Sequence, residues 1–178
     1  ASDDVRVTVD IDQPNTPVIA SFTQPSCAEP KGSVTIQASE VSSAQYNLTN
    51  ITNSFTGAFQ AGRTFDNLDP GTYTFRIQNS NNGCPSQPTP VITIQPQPIT
   101  PVQPTISAGT ATTFCEGGSV VLTSSATSGN HQWYQGPTPI TGATSSTYTA
   151  TAAGTYTVTN SVTNPNTIVC TSPASAGV

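Results

Sequence analysis

Cys27, Cys84, Cys115 and Cys170 are the residues of this chain whose type and spacing promise covalent chemistry. They form two pairs, separated by 57 and 55 residues. Thiols placed so either oxidise to disulfides or ligate zinc. Zinc sites draw on close-set thiols and histidines, whereas this chain has no Cys-x-x-Cys and a single histidine, His131. Disulfides are the better reading. Four cysteines allow three pairings, and an internal repeat selects Cys27–Cys84 and Cys115–Cys170. On the chain-entropy view a loop of that length stabilises by about 4 kcal/mol. Such bonds imply an oxidising, extracytoplasmic setting.

Other chemistry is scarce. A nucleophile–base pair needs a base, and His131 lies two residues before Trp133 with no carboxylate near it in sequence to orient it. Glycoside hydrolysis needs two facing carboxylates. The second half of the chain holds only Glu116, and in the first half, beside Glu29 and Glu40, Asp66 and Asp69 sit in a turn and read as backbone caps. An enzyme is therefore not expected. Asp3, Asp4, Asp10 and Asp12 supply the hard oxygens calcium prefers, but their spacing matches no calcium loop. They are the one candidate ion site, and no other metal or cofactor is expected. Lys31, the sole lysine, leaves little scope for an intramolecular Lys–Asn bond. Asn47-Leu-Thr49 and Asn50-Ile-Thr52 fit a glycosylation acceptor pattern and read first as polar strand and loop. Phe55, Phe59 and Phe65 fall in one Gly-punctuated stretch and form a candidate ligand surface, since an exposed ring beside Asn and Gln side chains can stack on a sugar.

The elements that position these residues are written twice. Cys27, Gly32-Ser-Val34, Gly71-Thr-Tyr-Thr-Phe75 and Cys84 recur as Cys115, Gly118-Ser-Val120, Gly154-Thr-Tyr-Thr-Val158 and Cys170. Repetition at a domain-sized period speaks to architecture. In 178 residues it gives two small modules, 17–95 and 105–178, joined by the proline-rich linker 96–104. Residues 1–16 read as the tail strand of a preceding repeat or an N-terminal strand. Apolar residues at Val34 and Ile36, then Tyr73, Phe75 and Ile77, alternate with the period of two of half-buried strands. Asp69-Pro-Gly71 and Asn81-Asn-Gly83 mark turns and leave no span for a crossover helix. Proline-fixed backbone makes the linker a semi-rigid spacer that holds the modules end to end. Trp133, the only tryptophan, reads as the bulky core aromatic of the second sandwich. Tyr73 and Tyr156, each just after a glycine and a threonine, read as tyrosine corners, structural rather than ligand-binding.

Composition removes whole classes of function. Charged residues are 7% of the chain and the net charge is -5, with Arg6, Lys31, Arg63 and Arg76 the only cations. No basic stripe exists to neutralise phosphates or to meet an anionic bilayer. No apolar run reaches transmembrane length, so neither nucleic-acid binding nor direct membrane insertion is expected. Threonine ladders could suggest ice binding, but here they lie on short, turn-broken strands.

Phe114-Cys-Glu-Gly-Gly-Ser-Val120, His131-Gln-Trp-Tyr134, Pro139-Ile-Thr-Gly-Ala-Thr-Ser-Ser-Thr-Tyr148 and Ala153-Gly-Thr-Tyr-Thr-Val158 resemble immunoglobulin-like domains near the C-termini of very large surface proteins of the Bacteroidetes. Gly32-Ser-Val-Thr-Ile36, Leu68-Asp-Pro-Gly-Thr-Tyr-Thr-Phe75 and Asn82-Gly-Cys84 are similar to repeats of gliding-motility adhesins. The resemblance implies type IX export, attachment to the outer cell surface, and adhesion or gliding. It brings no family active site. The expected fold is all-β: two tandem immunoglobulin-like antiparallel sandwiches, each with one disulfide. The expected role is that of structural or adhesive repeats of a bacterial surface adhesin, whose partners are neighbouring repeats and surface glycans or other cell-surface polymers. The competing role is a carbohydrate-binding accessory module of a secreted polysaccharide-degrading protein.

Overall fold

The computed structural model describes residues 13–41, 43–81, 83–165 and 167–178. The strand expected over 5–12 and the aspartates Asp3, Asp4, Asp10 and Asp12 lie outside the described residues. The chain divides into two compact units, Ala1–Gln97 and Pro98–Val178.

The first unit runs β1 (Ile19–Thr23), β2 (Gly32–Ile36), β3 (Ala44–Asn50), β4 (Phe55–Thr56), β5 (Thr64–Leu68), β6 (Gly71–Asn79) and β7 (Ile92–Ile94). One sheet has the order β1-β2-β5 and the other β4-β3-β6-β7, all antiparallel. The second unit repeats the plan with β8 (Ile106–Ala108), β9 (Val120–Ser124), β10 (Asn130–Gln135), β11 (Thr138–Pro139), β12 (Thr147–Ala150), β13 (Tyr156–Thr163) and β14 (Val169–Thr171). Its sheets are ordered β12-β9-β8 and β11-β10-β13-β14. In both units the short fourth strand hairpins back on the third, so three strands face four.

Each unit closes over its own core, built from alternate residues of the facing strands. In the first, Val34 and Ile36 of β2 join Tyr73, Phe75 and Ile77 of β6, and the Phe65 ring packs on Phe75 with centroids 5.2 Å apart. In the second, Trp133 is fully buried and stacks on Tyr148 at 5.9 Å, which in turn meets Tyr156 at 5.6 Å. The Trp133 indole N–H donates to the Ser145 carbonyl (2.9 Å), so burying the ring strands no polar group. Neither core cluster contains a cystine.

The last segment of each unit departs from period two. Beyond the turn after β6, the Ser86 N–H donates to the Ile77 carbonyl (2.7 Å) and the Ser86 hydroxyl accepts from the Ile77 N–H (3.0 Å). Three residues later Thr89 makes the same exchange with Phe75 (2.9 and 3.1 Å), and after three more Ile92 pairs with Tyr73. The second unit repeats it: Ser172 with Asn160, Ser175 with Val158, and Val178 with Tyr156. Prolines at 85, 88, 90 and 173 favour an extended backbone with about three residues per turn. Only every third residue then faces the neighbouring strand. A serine or threonine side chain supplies the acceptor that a regular strand's carbonyl would have provided. The hydroxyls of Ser86 and Ser172 also donate to the next residue's carbonyl (2.8 Å each), a second bond that alanine could not make.

The cysteines require a correction. The disulfide-bonded residues are Cys27 and Cys170, and Cys115 is an exposed thiol. Each expected pair thus has one disulfide-bonded member and one that is not, so the expected arrangement of one disulfide per module does not form. The reason is distance along the strands. Cys27 lies by the start of β6, where its carbonyl accepts from Gln97 Nε2 (3.4 Å) and the nearby Gln24 amide bonds both Thr93 O and Gln95 N–H (2.7 and 2.8 Å). Cys84 lies past the other end of β6, between Gly83, bonded to Asn79, and Pro85, bridged to Gln78. A rise near 3.3 Å per residue puts roughly 20 Å between those ends, against the ~7 Å between Cα atoms that a disulfide spans at most. In the second unit Cys115 stands on the loop before β9, at the end where β13 begins, while Cys170 pairs with Val162 near the end where β13 finishes.

Candidate functional site

The aromatic stretch is divided by its strand positions. Phe65 faces inward from β5 and is part of the core, Phe59 is half-buried, and Phe55 on β4 is 57% exposed. Phe55 pairs with Asn50 and, with its ring over Gly57, borders Leu48 at the rim of the four-stranded sheet. The other well-exposed ring of this unit, Phe22 at 50%, belongs to β1 in the opposite sheet. The two rings share no face, so no aromatic platform is built.

His131 lies on β10 and its imidazole Nε2 meets the Ala126 carbonyl (3.2 Å), a backbone contact within a buried environment. Its cross-strand neighbour is Asn160, and the same positions in the first unit hold Tyr46 and Ile77. The Asn160 side-chain oxygen is buried without a hydrogen-bond partner and sits close against Gly129, whose φ is +87°. Asp69, expected as a turn cap, instead meets Lys31 in a surface ion pair, and its backbone carbonyl serves Tyr73. Asn47 and Asn50, which head the two glycosylation patterns, are both buried, and Asn50 Oδ1 accepts from the Thr52 and Asn53 N–H groups. Neither presents its amide to a transferase. Among the described residues no group of three His, Cys, Asp or Glu side chains gathers to hold a metal.

Tyr73 and Tyr156 occupy equivalent places at the entry to β6 and β13. Each hydroxyl donates to the carbonyl four residues earlier, Asp69 for Tyr73 (2.7 Å) and Ala152 for Tyr156 (2.9 Å). The loop from the preceding strand is thereby tied to the opposite sheet. Burial raises both phenol pKa values above 10.0; the Asp69 carboxylate adds to the effect at Tyr73 and the Tyr148 ring neighbour at Tyr156.

Residues that the sequence reading did not single out carry much of the edge: Ser86 and Thr89, Ser172 and Ser175. Their signal is present in Cys84-Pro-Ser-Gln-Pro-Thr89 and Cys170-Thr-Ser-Pro-Ala-Ser175, where hydroxyls three apart follow a cysteine by two. Strand order then decides the fold type. Three antiparallel strands face four, with the fourth strand on the sheet of the third and a tyrosine tying the turn before the sixth. Both units are immunoglobulin- and fibronectin-III-like sandwiches. No family model matches the chain, and no curated protein matches it. Among solved structures this pair of sandwiches is similar to the human OSCAR ligand-binding domain, at 15% identity over 94% of this chain and 99% of that one, with a TM-score of 0.37. It is also similar to fibronectin(III)-like modules of Clostridium thermocellum CbhA, at 12% identity over 90% and 93%, TM-score 0.40. A third likeness is to the chicken interferon gamma receptor alpha chain, at 10% identity over 93% and 97%, TM-score 0.37.

Proposed function

We propose that the chain is a pair of structural, adhesive repeat modules from a large bacterial cell-surface adhesin, exported by the type IX route of the Bacteroidetes and related to gliding adhesins. Its neighbours would be further repeats of the same kind. The observation that carries this reading is the disposition of the rings. A spacer buries its aromatics, whereas a carbohydrate-binding face keeps several on one side. Here Phe65, Phe75, Tyr73, Trp133 and Tyr156 are buried, and of the exposed rings Phe22 and Phe55 belong to different sheets of one unit while Phe114 belongs to the other unit. The cystine halves Cys27 and Cys170 favour an extracellular setting, as does a surface nearly without cations.

The accessory carbohydrate-binding reading keeps one foothold, the exposed ring of Phe55 at the rim of the four-stranded sheet. A broad glycan panel, probed with the oxidised chain with and without calcium, separates the two. Absence of saturable binding in both conditions is expected. Saturable binding that Phe55→Ala abolishes would move the assignment to the accessory module.

A further inference from the structure

Each module has a hollow at the same end, beneath the segment that leads into its first strand. In the first it is about 240 Å³ and lies between residues 15–18 and the loop after β2, with Ile77 of β6 at its floor. In the second it is about 480 Å³ and lies between residues 99–104 and the loop 125–128 after β9, with Asn160 and Val162 of β13 at its floor. Asn160 is the register counterpart of Ile77, and His131 opposite it is the counterpart of Tyr46. The floor thus changes from apolar to polar, and the Asn160 side-chain oxygen is buried with no hydrogen-bond partner. A shut, dry hollow leaves that acceptor unsatisfied, and water reaching it removes the penalty.

The roof of the second hollow is the proline-rich segment 99–103. Its ends are fixed: Pro98 and Pro104 are buried, and the Thr105 N–H donates to Ser125 Oγ (2.9 Å). Between them Ile99 and Val102 are 73% and 87% exposed, so the span gains little from apolar burial. Side-chain amides hold it instead. Asn164 is buried just past the end of β13, where its own N–H donates to the Ile168 carbonyl (2.9 Å). It grips Ile99 twice: Oδ1 accepts from the Ile99 N–H (2.8 Å) and Nδ2 donates to the Ile99 carbonyl (3.2 Å). Gln103 Nε2 donates to the Ala174 carbonyl (2.6 Å). We propose that residues 99–103 form a strap, latched by Asn164, that opens and shuts over this end of the second sandwich while the core beneath stays folded. Segments with few buried apolar contacts open locally, well below the free energy of global unfolding, and hydration of Asn160 favours the open form. Shut, these residues belong to the second module; open, they are free spacer.

The test is amide hydrogen exchange at residue resolution on the full oxidised chain, over a series of low urea concentrations. The Ile99 amide is expected to exchange at least tenfold slower than in an unstructured peptide. It should still exchange at least a hundredfold faster than the bonded core amides of Trp133 and Val158, and without dependence on urea. Asn164→Ala should bring Ile99 to the free-peptide rate. Asn160→Ile, which gives the floor the side chain of the first module, should slow Ile99 at least tenfold. A change that merely weakened the fold would speed Trp133 and Val158 together with Ile99, so those two amides are the control. The proposal is overturned if Ile99 of the unaltered chain exchanges at the free-peptide rate, or if it exchanges only with the core and with the same urea dependence. It is equally overturned if Asn160→Ile, with its core amides still protected, leaves the Ile99 rate unchanged. Should a variant not fold, the rates of the unaltered chain decide the matter alone.

Discussion

Tyr73 and Tyr156 each place one hydroxyl at the boundary between a buried ring and a turn, and the two bonds do the same work in the two modules. Removing either hydroxyl leaves a carbonyl short of a donor while the ring packs as before. Tyr73→Phe and Tyr156→Phe should each cost about 1 kcal/mol, read from urea midpoints of the respective module. Both phenols have raised pKa values in the folded chain. The folded state then holds more protons than the unfolded one above pH 10, so stability is intact below that pH and falls as pH rises through the folded values. Absorbance titration near 295 nm should show Tyr73 and Tyr156 ionising late in the folded chain and at the ordinary phenol value in urea. Trp133 has no exposed surface, and Trp133→Ala should cost about 3–5 kcal/mol in the second module. The buried tryptophan and the two tyrosine positions were plain in the sequence, because a lone Trp and two Gly-Thr-Tyr strand openings admit few other uses. His131 and Asn160 were not: nothing in one-dimensional spacing shows that they stand opposite each other where the first module has Tyr46 and Ile77.

At the scale of the strand, period-two alternation located β2 and β6, whose inner faces it describes directly. It could not describe residues 84–91 or 172–178, since their period is three and their contacts run through hydroxyls. The repeated motif also misled in detail. Gly118 stands in the turn after Cys115, bonded to its carbonyl at 2.9 Å, and not in the second strand as Gly32 does. Ser86→Ala and Ser172→Ala each remove the only acceptor for a buried N–H, that of Ile77 or Asn160, and should destabilise by about 1–3 kcal/mol. Ser172→Thr, which keeps the oxygen, should recover most of the loss; chemical denaturation of the three variants checks both statements. Gly129→Ala should also be costly, because a Cβ there would lie 2.6 Å from the Ser161 carbonyl and the backbone φ is +87°.

For the molecule as a whole, the number of modules followed from the repeat, while the disulfide pairing did not. Spacing of 57 and 55 residues is compatible with a bond only if both cysteines reach the same end of a sandwich. Which end each occupies depends on β6 and β13 running the full length of the fold between them. Alkylation under non-reducing conditions should label Cys115 rapidly, and Cys27 and Cys170 only after reduction; mass spectrometry of the labelled peptides reads the outcome.

The three-residue rhythm of the closing segment has a consequence for life in a crowd. Modules that occur side by side on a surface meet at high local concentration, where an open sheet edge is a template for cross-β growth. A growing sheet needs donors and acceptors alternating every second residue. The segments after Cys84 and Cys170 break that cadence, turn their hydroxyls inward, and replace several amide protons with proline rings. These margins can be packed densely against one another without zipping into fibrils.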